Sequence, residues 1–515
     1  MHGAQKLDLA LKAEFEMAEI SHESFAETKY MKDHHESYEN PTDYESADKF
    51  TFDTVLNRVG FGRYHYKLFV ILGLLGMADG SESMVISFIV PIFKKEFQPS
   101  YDLESYLGTS VYIGYFIGSL LSGYFSDKYG RKRPVVYSNL LMIILGLISA
   151  YPPNLVSFII LRGLFGIIVG FFSPLAYTIM AEITPVKYRG KYMVLLGIFY
   201  TLGEIVSCLI AIFTLDTLKS GNWHGLLAWS TFPALLAWIA SLVLLDESAR
   251  HEMILGNYEN GVRVLNKMYA ENQNTNHDVM TEEEKEKLIY NYKNKVEEGQ
   301  EEEEEVPIKE LFKGVNRKIT PFVWINWFAN SLTFFGLVFL LPTTLSELKG
   351  NTTESEGDGD DDGVSSVIYS SLSALPTVFV AAALVDLKHF GRKNSLFLTF
   401  FLGGITCLLA YVQLFPGFVF WISITKFFFS LAFTLNFQFT SELYPTKIRG
   451  TGIGMASAFG RIGSIIMPST VSFLSKLGIL IPYLMYGVGS LFASFATTLL
   501  PYDTAGLEMS SLDRK

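Results

Sequence analysis

Long apolar segments separated by short charged turns dominate the chain from residue 66 to residue 500. Stretches such as Val135–Ala150 and Leu396–Ala410 contain no charged residue. A helix of about 20 mostly apolar residues crosses the hydrocarbon core of a bilayer. The pattern therefore predicts twelve membrane spans, numbered in chain order, at 66–93, 105–125, 134–151, 155–181, 192–214, 225–245, 319–342, 364–385, 394–412, 415–441, 452–475 and 478–500.

A charged nine-residue motif occurs twice, between spans 4 and 5 and between spans 10 and 11. Glu182–Gly190 reads EITPVKYRG and Glu442–Gly450 reads ELYPTKIRG, so both spell Glu-x-x-Pro-x-Lys-x-Arg-Gly. They start 260 residues apart in a chain of 515. Because a fixed internal period points to repeated structural units, we expect two related halves of six helices each.

The predicted fold is an all-α membrane protein with two pseudo-symmetric six-helix halves. The charge-rich segments between and around these halves are predicted as tails and a loop, and the run Glu301–Glu305 as a solvated linker. The predicted domains are an N-terminal tail at 1–65, the first half at 66–245, a central loop at 246–318, the second half at 319–500 and a C-terminal tail at 501–515.

Composition excludes several classes of function. Only 18% of the residues are charged, against about a quarter in soluble proteins, and the net charge of −11 lies in tails and loops, so nothing indicates nucleic acid. Cys208 and Cys407 both fall in apolar segments, without disulfide or metal spacing. No nucleophile–base pair, nucleotide loop or cleaved signal peptide is evident. We expect no enzyme activity, no cofactor and no metal.

Lys and Arg are distributed unequally between the two faces of the predicted membrane domain. The turns after spans 2, 4, 8 and 10 contain twelve, and the turns on the other face contain five: Lys94, Lys95, Lys219, Lys349 and Lys476. The positive-inside rule then places both termini and the central loop in the cytosol. The sequon at Asn351 falls on the opposite face, where it could be glycosylated.

The turn between spans 2 and 3, Gly123-Tyr-Phe-Ser-Asp-Lys-Tyr-Gly-Arg-Lys-Arg133, and the doubled nine-residue motif together resemble the major facilitator superfamily. The repeat and Asp246-Glu-Ser-Ala-Arg250 are similar to its sugar and organic-ion porters. Gly60-Phe-Gly-Arg63 and Ala78-Asp-x-x-Glu82 look like the synaptic vesicle glycoprotein 2 and related-protein family. The short loop between spans 7 and 8 is similar to its related-protein branch.

This resemblance implies a secondary transporter in which two halves rock around a central site. It also implies that charges at the motif turns form ion pairs between helices and close the cytosolic side. Because a network that joins both halves biases a two-state equilibrium, we expect these charges to gate transport. They are Asp127, Arg131, Glu182, Arg189, Glu247, Arg250, Glu442 and Arg449.

Charges inside the spans are candidates for the substrate and proton site. Asp79 and Glu82 lie three residues apart in span 1, so they share one helix face. Carboxylates at membrane depth are costly and face a cavity or a partner, which suits proton uptake. The alternative is that one of them pairs statically with Arg162 in span 4. Glu204 in span 5 is a further deep charge, whereas Lys426 in span 10 is less informative because it could snorkel.

Arg461 in span 11 favours an anionic substrate. The matching position in organic-ion porters is acidic in cation transporters and basic in anion transporters, so the resemblance implies a small organic anion, in the first place a monocarboxylate. We expect a monomer that moves this anion together with protons. Neutral groups that could line the site are Trp327, Asn330 and Asn436, with packing as their alternative role. The alternatives for function are a sugar or polyol porter and a non-transporting vesicle-membrane protein. Plasma and vesicle membranes both remain open.

Overall fold

Twelve helical spans form the core of the part of the protein that the structure describes. The computed structural model describes residues 50–98, 101–275, 277–297, 308–350, 363–386, 391–415, 417–444 and 448–503. Spans 1 to 5 are the helices Arg63–Phe97, Tyr101–Tyr129, Lys132–Ser149, Leu155–Ile183 and Val186–Thr214. Spans 7 and 9 to 12 are Asn316–Gly350, Arg392–Tyr411, Phe418–Leu443, Arg449–Ser475 and Ile481–Thr498.

Spans 6 and 8 are each divided into two helices. Span 6 consists of Trp223–Ser230 and Phe232–Leu244, and span 8 of Val364–Leu372 and Thr377–Asp386. Pro233 stands in the first turn of the second helix of span 6, and Pro376 precedes the second helix of span 8. A proline has no amide hydrogen to donate to the preceding turn, which accounts for both interruptions. The predicted fold of twelve spans in two halves is confirmed, with helix ends shifted by a few residues.

Length and composition agree with membrane crossing. In the described part of the chain, nine helical segments are long and apolar enough to cross a membrane. Spans 2, 11 and 12 are not among these nine. They contain more Gly and Ser, and such small residues let the backbones of neighbouring helices approach closely.

The first half is held together by such close approaches. A Cβ atom on Gly80 of span 1 would overlap the carbonyl oxygen of Tyr200 in span 5, and one on Gly203 of span 5 would overlap that of Met77 in span 1. Spans 2 and 4 meet in the same way at Gly118. Glycine is therefore a steric requirement where these helices cross.

The central loop is more ordered than the sequence analysis predicted. It contains the helices Ala249–Ile254, Tyr258–Gln273 and Glu282–Glu297 and a 3₁₀ turn at Ile308–Phe312, and a further helix, Phe52–Val59, precedes span 1. Lys67 of span 1 pairs with Glu271 at 2.7 Å, and Arg58 pairs with Glu284 at 2.7 Å. These helices dock on the first half. Glu301–Glu305 lies outside the described residues.

The two halves meet on the face opposite the central loop, which we call the opposite face; the other is the loop face. The Oγ atoms of Ser105 in span 2 and Ser469 in span 11 lie 2.7 Å apart. The Thr109 hydroxyl donates to the Ile465 carbonyl oxygen at 3.4 Å. A short two-stranded antiparallel hairpin, Leu215–Thr217 with Ser220–Gly221, connects spans 5 and 6 on the same face.

We predict that Gly203→Val lowers the thermal unfolding temperature in detergent, because the new side chain would enter the backbone of span 1. Overpacking of this kind costs about 1–3 kcal/mol. The matched control is Gly197→Val in the same helix, where no heavy atom lies within 4 Å of the added Cβ. Equal unfolding temperatures for the two variants would contradict the packing argument.

Candidate functional site

A cluster of charged side chains lies between the two halves, inside the apolar spans. Asp79 and Glu82 stand on an uninterrupted helix and are 6% and 3% exposed. Burial of this kind is expensive for a carboxylate unless it is paired or hydrogen-bonded. The partners of each carboxylate therefore indicate its role.

Glu82 is held within the first half. Its Oε2 atom lies 2.8 Å from Nη1 of Arg162, and Ser230 of span 6 donates to its Oε1 atom at 3.2 Å. The guanidinium of Arg162 also lies over the rings of Phe158 and Phe165, at 5.4 and 5.0 Å from their centroids. Of the two predicted roles for these carboxylates, the structure therefore shows pairing with Arg162 for Glu82. Removing one partner of such a pair costs about 3–5 kcal/mol.

Asp79 has a different environment, which reaches the second half. The hydroxyl of Tyr115 in span 2 donates to its Oδ2 atom at 2.9 Å. The guanidinium of Arg461 from span 11 lies over the Tyr115 ring, 3.8 Å from the centroid. Among the described residues, no carboxylate lies within 4.0 Å of Arg461. Tyr115 thus stands between an acidic group of one half and a basic group of the other.

Glu204 pairs with Lys426, the lysine that was expected to snorkel. Nζ of Lys426 in span 10 lies 2.8 Å from Oε2 of Glu204 in span 5, as an ion pair without hydrogen-bond alignment. The same Nζ donates to the Ser371 hydroxyl of span 8 at 3.0 Å. The side chains of Lys426 and Glu204 are 2% and 0% exposed. The interpretation of Lys426 as a snorkelling lysine is wrong, because its ammonium group is enclosed by both halves.

The neutral candidates Trp327, Asn330 and Asn436 differ in whether their polar groups have hydrogen-bond partners. The Trp327 indole donates to the Thr440 hydroxyl at 3.0 Å. The Asn330 amide, oriented to satisfy both its atoms, donates to the Phe429 carbonyl oxygen at 3.3 Å and accepts from the Phe433 amide. Nδ2 of Asn436 is buried and has no hydrogen-bond partner in the described part of the protein. Asn436 is therefore the most available of the three for a ligand.

The motif charges of the first half form a tight cluster on the loop face. Arg131 lies 2.9 Å from Glu182 and 2.8 Å from Asp127. Glu247 accepts the backbone amides of Arg131, at 2.5 Å, and of Lys132, so it caps the start of span 3. Burial lowers the pKa of Arg131, but the hydrogen bonds and charges of Glu182 and Asp127 outweigh this effect and raise it. The cluster fixes the turn between spans 2 and 3.

The second half repeats this arrangement. Arg392 pairs with Glu442 at 3.1 Å, as Arg131 does with Glu182. Asp503, after span 12, accepts the backbone amides of Arg392 at 3.0 Å and Lys393 at 3.2 Å, in the role that Glu247 has after span 6. Asp503 lies in the segment predicted as the C-terminal tail, and a carboxylate just after the last helix of each half is the sequence signal for this cap.

The remaining motif residues have local surroundings. Arg189 lies 3.5 Å from Asp53 of the helix before span 1, and Arg250 stacks over Phe52 of that helix at 5.6 Å. Arg449 begins span 11. The ion pairs of Arg131 with Glu182 and of Arg392 with Glu442 each join helices of the same half. Asn351 lies outside the described residues.

Three comparisons agree on the kind of protein. A family model for "Sugar (and other) transporter" matches residues 66–515. The chain is 29% identical over 497 residues to synaptic vesicle 2-related protein of Xenopus laevis, covering 91% of this chain and 83% of that protein. It is 27% identical over 501 residues to organic cation/carnitine transporter 7 of Arabidopsis thaliana, covering 90% and 96%.

Among solved structures, the fold is similar to the inward-open xylose transporter XylE from E. coli. The TM-score is 0.69 at 19% identity, and the match covers 87% of this chain and 99% of that one. The motifs, the twelve spans and these matches lead to one conclusion. The chain is a multi-pass membrane transporter, not an enzyme, with the fold of the major facilitator superfamily, and it belongs to the sugar (and other) transporter family.

Proposed function

We propose that this protein moves a small organic anion, in the first place a monocarboxylate, together with protons by alternating access. The supporting observation is the distribution of partners among the three deep cations. Arg162 and Lys426 each have a carboxylate within 2.8 Å. Arg461 has none within 4.0 Å among the described residues and lies at the boundary between the halves. Its planar guanidinium suits a two-pronged contact with a substrate carboxylate.

Asp79 is the better candidate for the coupled proton. Glu82 pairs with Arg162 and accepts a hydrogen bond from Ser230. Asp79 instead accepts a hydrogen bond from the hydroxyl of Tyr115, and the guanidinium of Arg461 lies over the ring of this tyrosine. A charged Asp79 attracts Arg461 and repels an approaching anion in a region of low dielectric. Protonation of Asp79 removes both effects. Proton and anion therefore bind best together, which is the basis of symport.

A sugar or polyol is the second candidate substrate. The buried Asn436 amide and the buried Tyr200 hydroxyl have no hydrogen-bond partners in the described part of the chain, and both could bind substrate hydroxyls. A carboxylate-bearing zwitterion is compatible with Arg461, and one relative is named a carnitine transporter. Uptake by proteoliposomes separates these classes, with labelled monocarboxylates, zwitterions, cations and sugars tested with and without a pH gradient.

The proposed orientation follows from the positive-inside rule, with both termini and the loop face in the cytosol. The relatives named for synaptic vesicles favour a vesicle membrane. The loop-face charges then act as a gate in the other conformation of the transport cycle, in which the halves approach each other on the cytosolic side. We propose that the protein acts as a monomer.

Arg461→Ala is expected to reduce the uptake of the preferred anion at least about tenfold, because a charge-assisted hydrogen-bonding site is lost. Arg461→Lys keeps the charge without the planar fork and should retain part of the activity. Uptake and membrane targeting are measured in the same cells. Normal anion uptake by a correctly targeted Arg461→Ala protein would remove the anion assignment.

Asp79→Asn should abolish accumulation driven by a pH gradient but preserve exchange of labelled for unlabelled substrate, because the amide imitates a protonated carboxyl group. Both modes are measured in proteoliposomes. Accumulation that still follows the pH gradient in this variant would assign the proton to another residue.

The pair Ser105→Cys and Ser469→Cys should form a disulfide upon mild oxidation, since the two Oγ atoms lie 2.7 Å apart. Uptake should stop because the halves can no longer part on the opposite face, and a reductant should restore it. Cys208 and Cys407 are fully buried and serve as the native background. Full uptake by quantitatively cross-linked protein would argue against rocking of the halves.

A further inference from the structure

We propose that Glu204 and Lys426 are transport-cycle residues whose ion pair holds the opposite face closed and breaks each time that face opens. The inference rests on the proposed alternating access, but not on the identity of the substrate. Glu204 belongs to span 5 of the first half and Lys426 to span 10 of the second. The Nζ–Oε2 distance of 2.8 Å therefore spans the boundary between the halves.

The pair differs from the other buried ion pair of the site in what rocking does to it. Glu82 and Arg162 both lie in the first half and move as one body when the halves rotate. Glu204 and Lys426 must separate, because span 5 and span 10 move apart on the side where the halves now touch. Rocking thus leaves one pair intact and divides the other.

The surroundings make this separation expensive. The two side chains are 0% and 2% exposed, and the further contact of Lys426 is the hydroxyl of Ser371 in span 8, also of the second half. A buried charge that loses its partner is strongly destabilising. Neither charge is stable without a partner when the pair separates. The lost partner must then be replaced by water that enters the opened cavity, by a proton or by a substrate group.

A second ion pair that crosses the halves, Lys94 with Glu347, does not have this property. Its charged atoms lie 3.7 Å apart and its side chains are 33% and 41% exposed. Exposed pairs contribute little and are solvated before and after they separate. The deep position of Glu204 and Lys426 therefore makes their pair the stronger determinant of when the opposite face opens.

The test uses the rate at which the introduced cysteines at 105 and 469 cross-link, measured without substrate in purified protein. Glu204→Gln and Lys426→Gln each leave one buried charge unpaired, which favours conformations that admit water from the opposite face. We expect each to slow cross-linking about fivefold or more. The double variant Glu204→Gln/Lys426→Gln leaves no lone charge, so its rate should return towards that of the parent.

The matched control is Glu347→Gln, which breaks the exposed ion pair of Lys94 and Glu347 between the halves and should leave the cross-linking rate unchanged, because these side chains are solvated before and after they separate. Thermal unfolding confirms that each variant is folded. Where a single variant does not fold, Glu204→Asp replaces it, since a shorter side chain keeps the charge but weakens the contact, and slower cross-linking is again expected.

Parent-like rates in the folded single variants, or in Glu204→Asp, would overturn the proposal. It would also be overturned by a double variant as slow as the single ones, because the effect would then not depend on a lone charge. A failure to find an anionic substrate leaves these rates unaffected. Uptake by cross-linked protein instead tests alternating access itself, so the two kinds of failure remain distinct.

Discussion

The cost of an unpaired charge at membrane depth governs the centre of this protein. Among the described residues, six charged side chains lie deep inside the spans, three acidic and three basic, and their arrangement follows from the need of each for a partner. Two opposite pairs satisfy that need directly, one within a half and one between the halves. The third pair of charges is separated by a tyrosine, whose hydroxyl and ring each face one of them. We propose that a substrate and a proton complete this third pair.

The two ends of the molecule are organised by a different principle. On the loop face, each half closes its own turn with an arginine, a glutamate from the repeated motif and a carboxylate that caps the next helix. On the opposite face, small polar side chains of spans 2 and 11 meet directly. The duplicated motif therefore stabilises each half as a unit. The contacts between the units given above, such as that of Ser105 with Ser469, involve residues outside the motif, which is compatible with halves that move as bodies.

The sequence predicted the fold well because twelve apolar segments and a repeated motif are local features. It predicted less of the site, because the partner of a charge depends on how helices are rotated against each other, which no single periodicity encodes. Lys426 illustrates this limit: its sequence context suits snorkelling, and only the packing of span 10 against span 5 makes it a buried partner of Glu204. Nothing in the sequence distinguishes Tyr115 from the other tyrosines of the chain. The central-loop helices lack the long apolar segment that identifies a membrane span.

Asp503 has a consequence for the way this protein can be handled. Its carboxylate holds the start of span 9, and the hydroxyl of the neighbouring Tyr502 donates to the carbonyl oxygen of Leu443 at the end of span 10. Tyr502 and Asp503 are thus structural parts of the second half. A fluorescent tag or affinity handle joined after these residues respects the fold, whereas one joined directly to the last helix would replace the cap that span 9 requires.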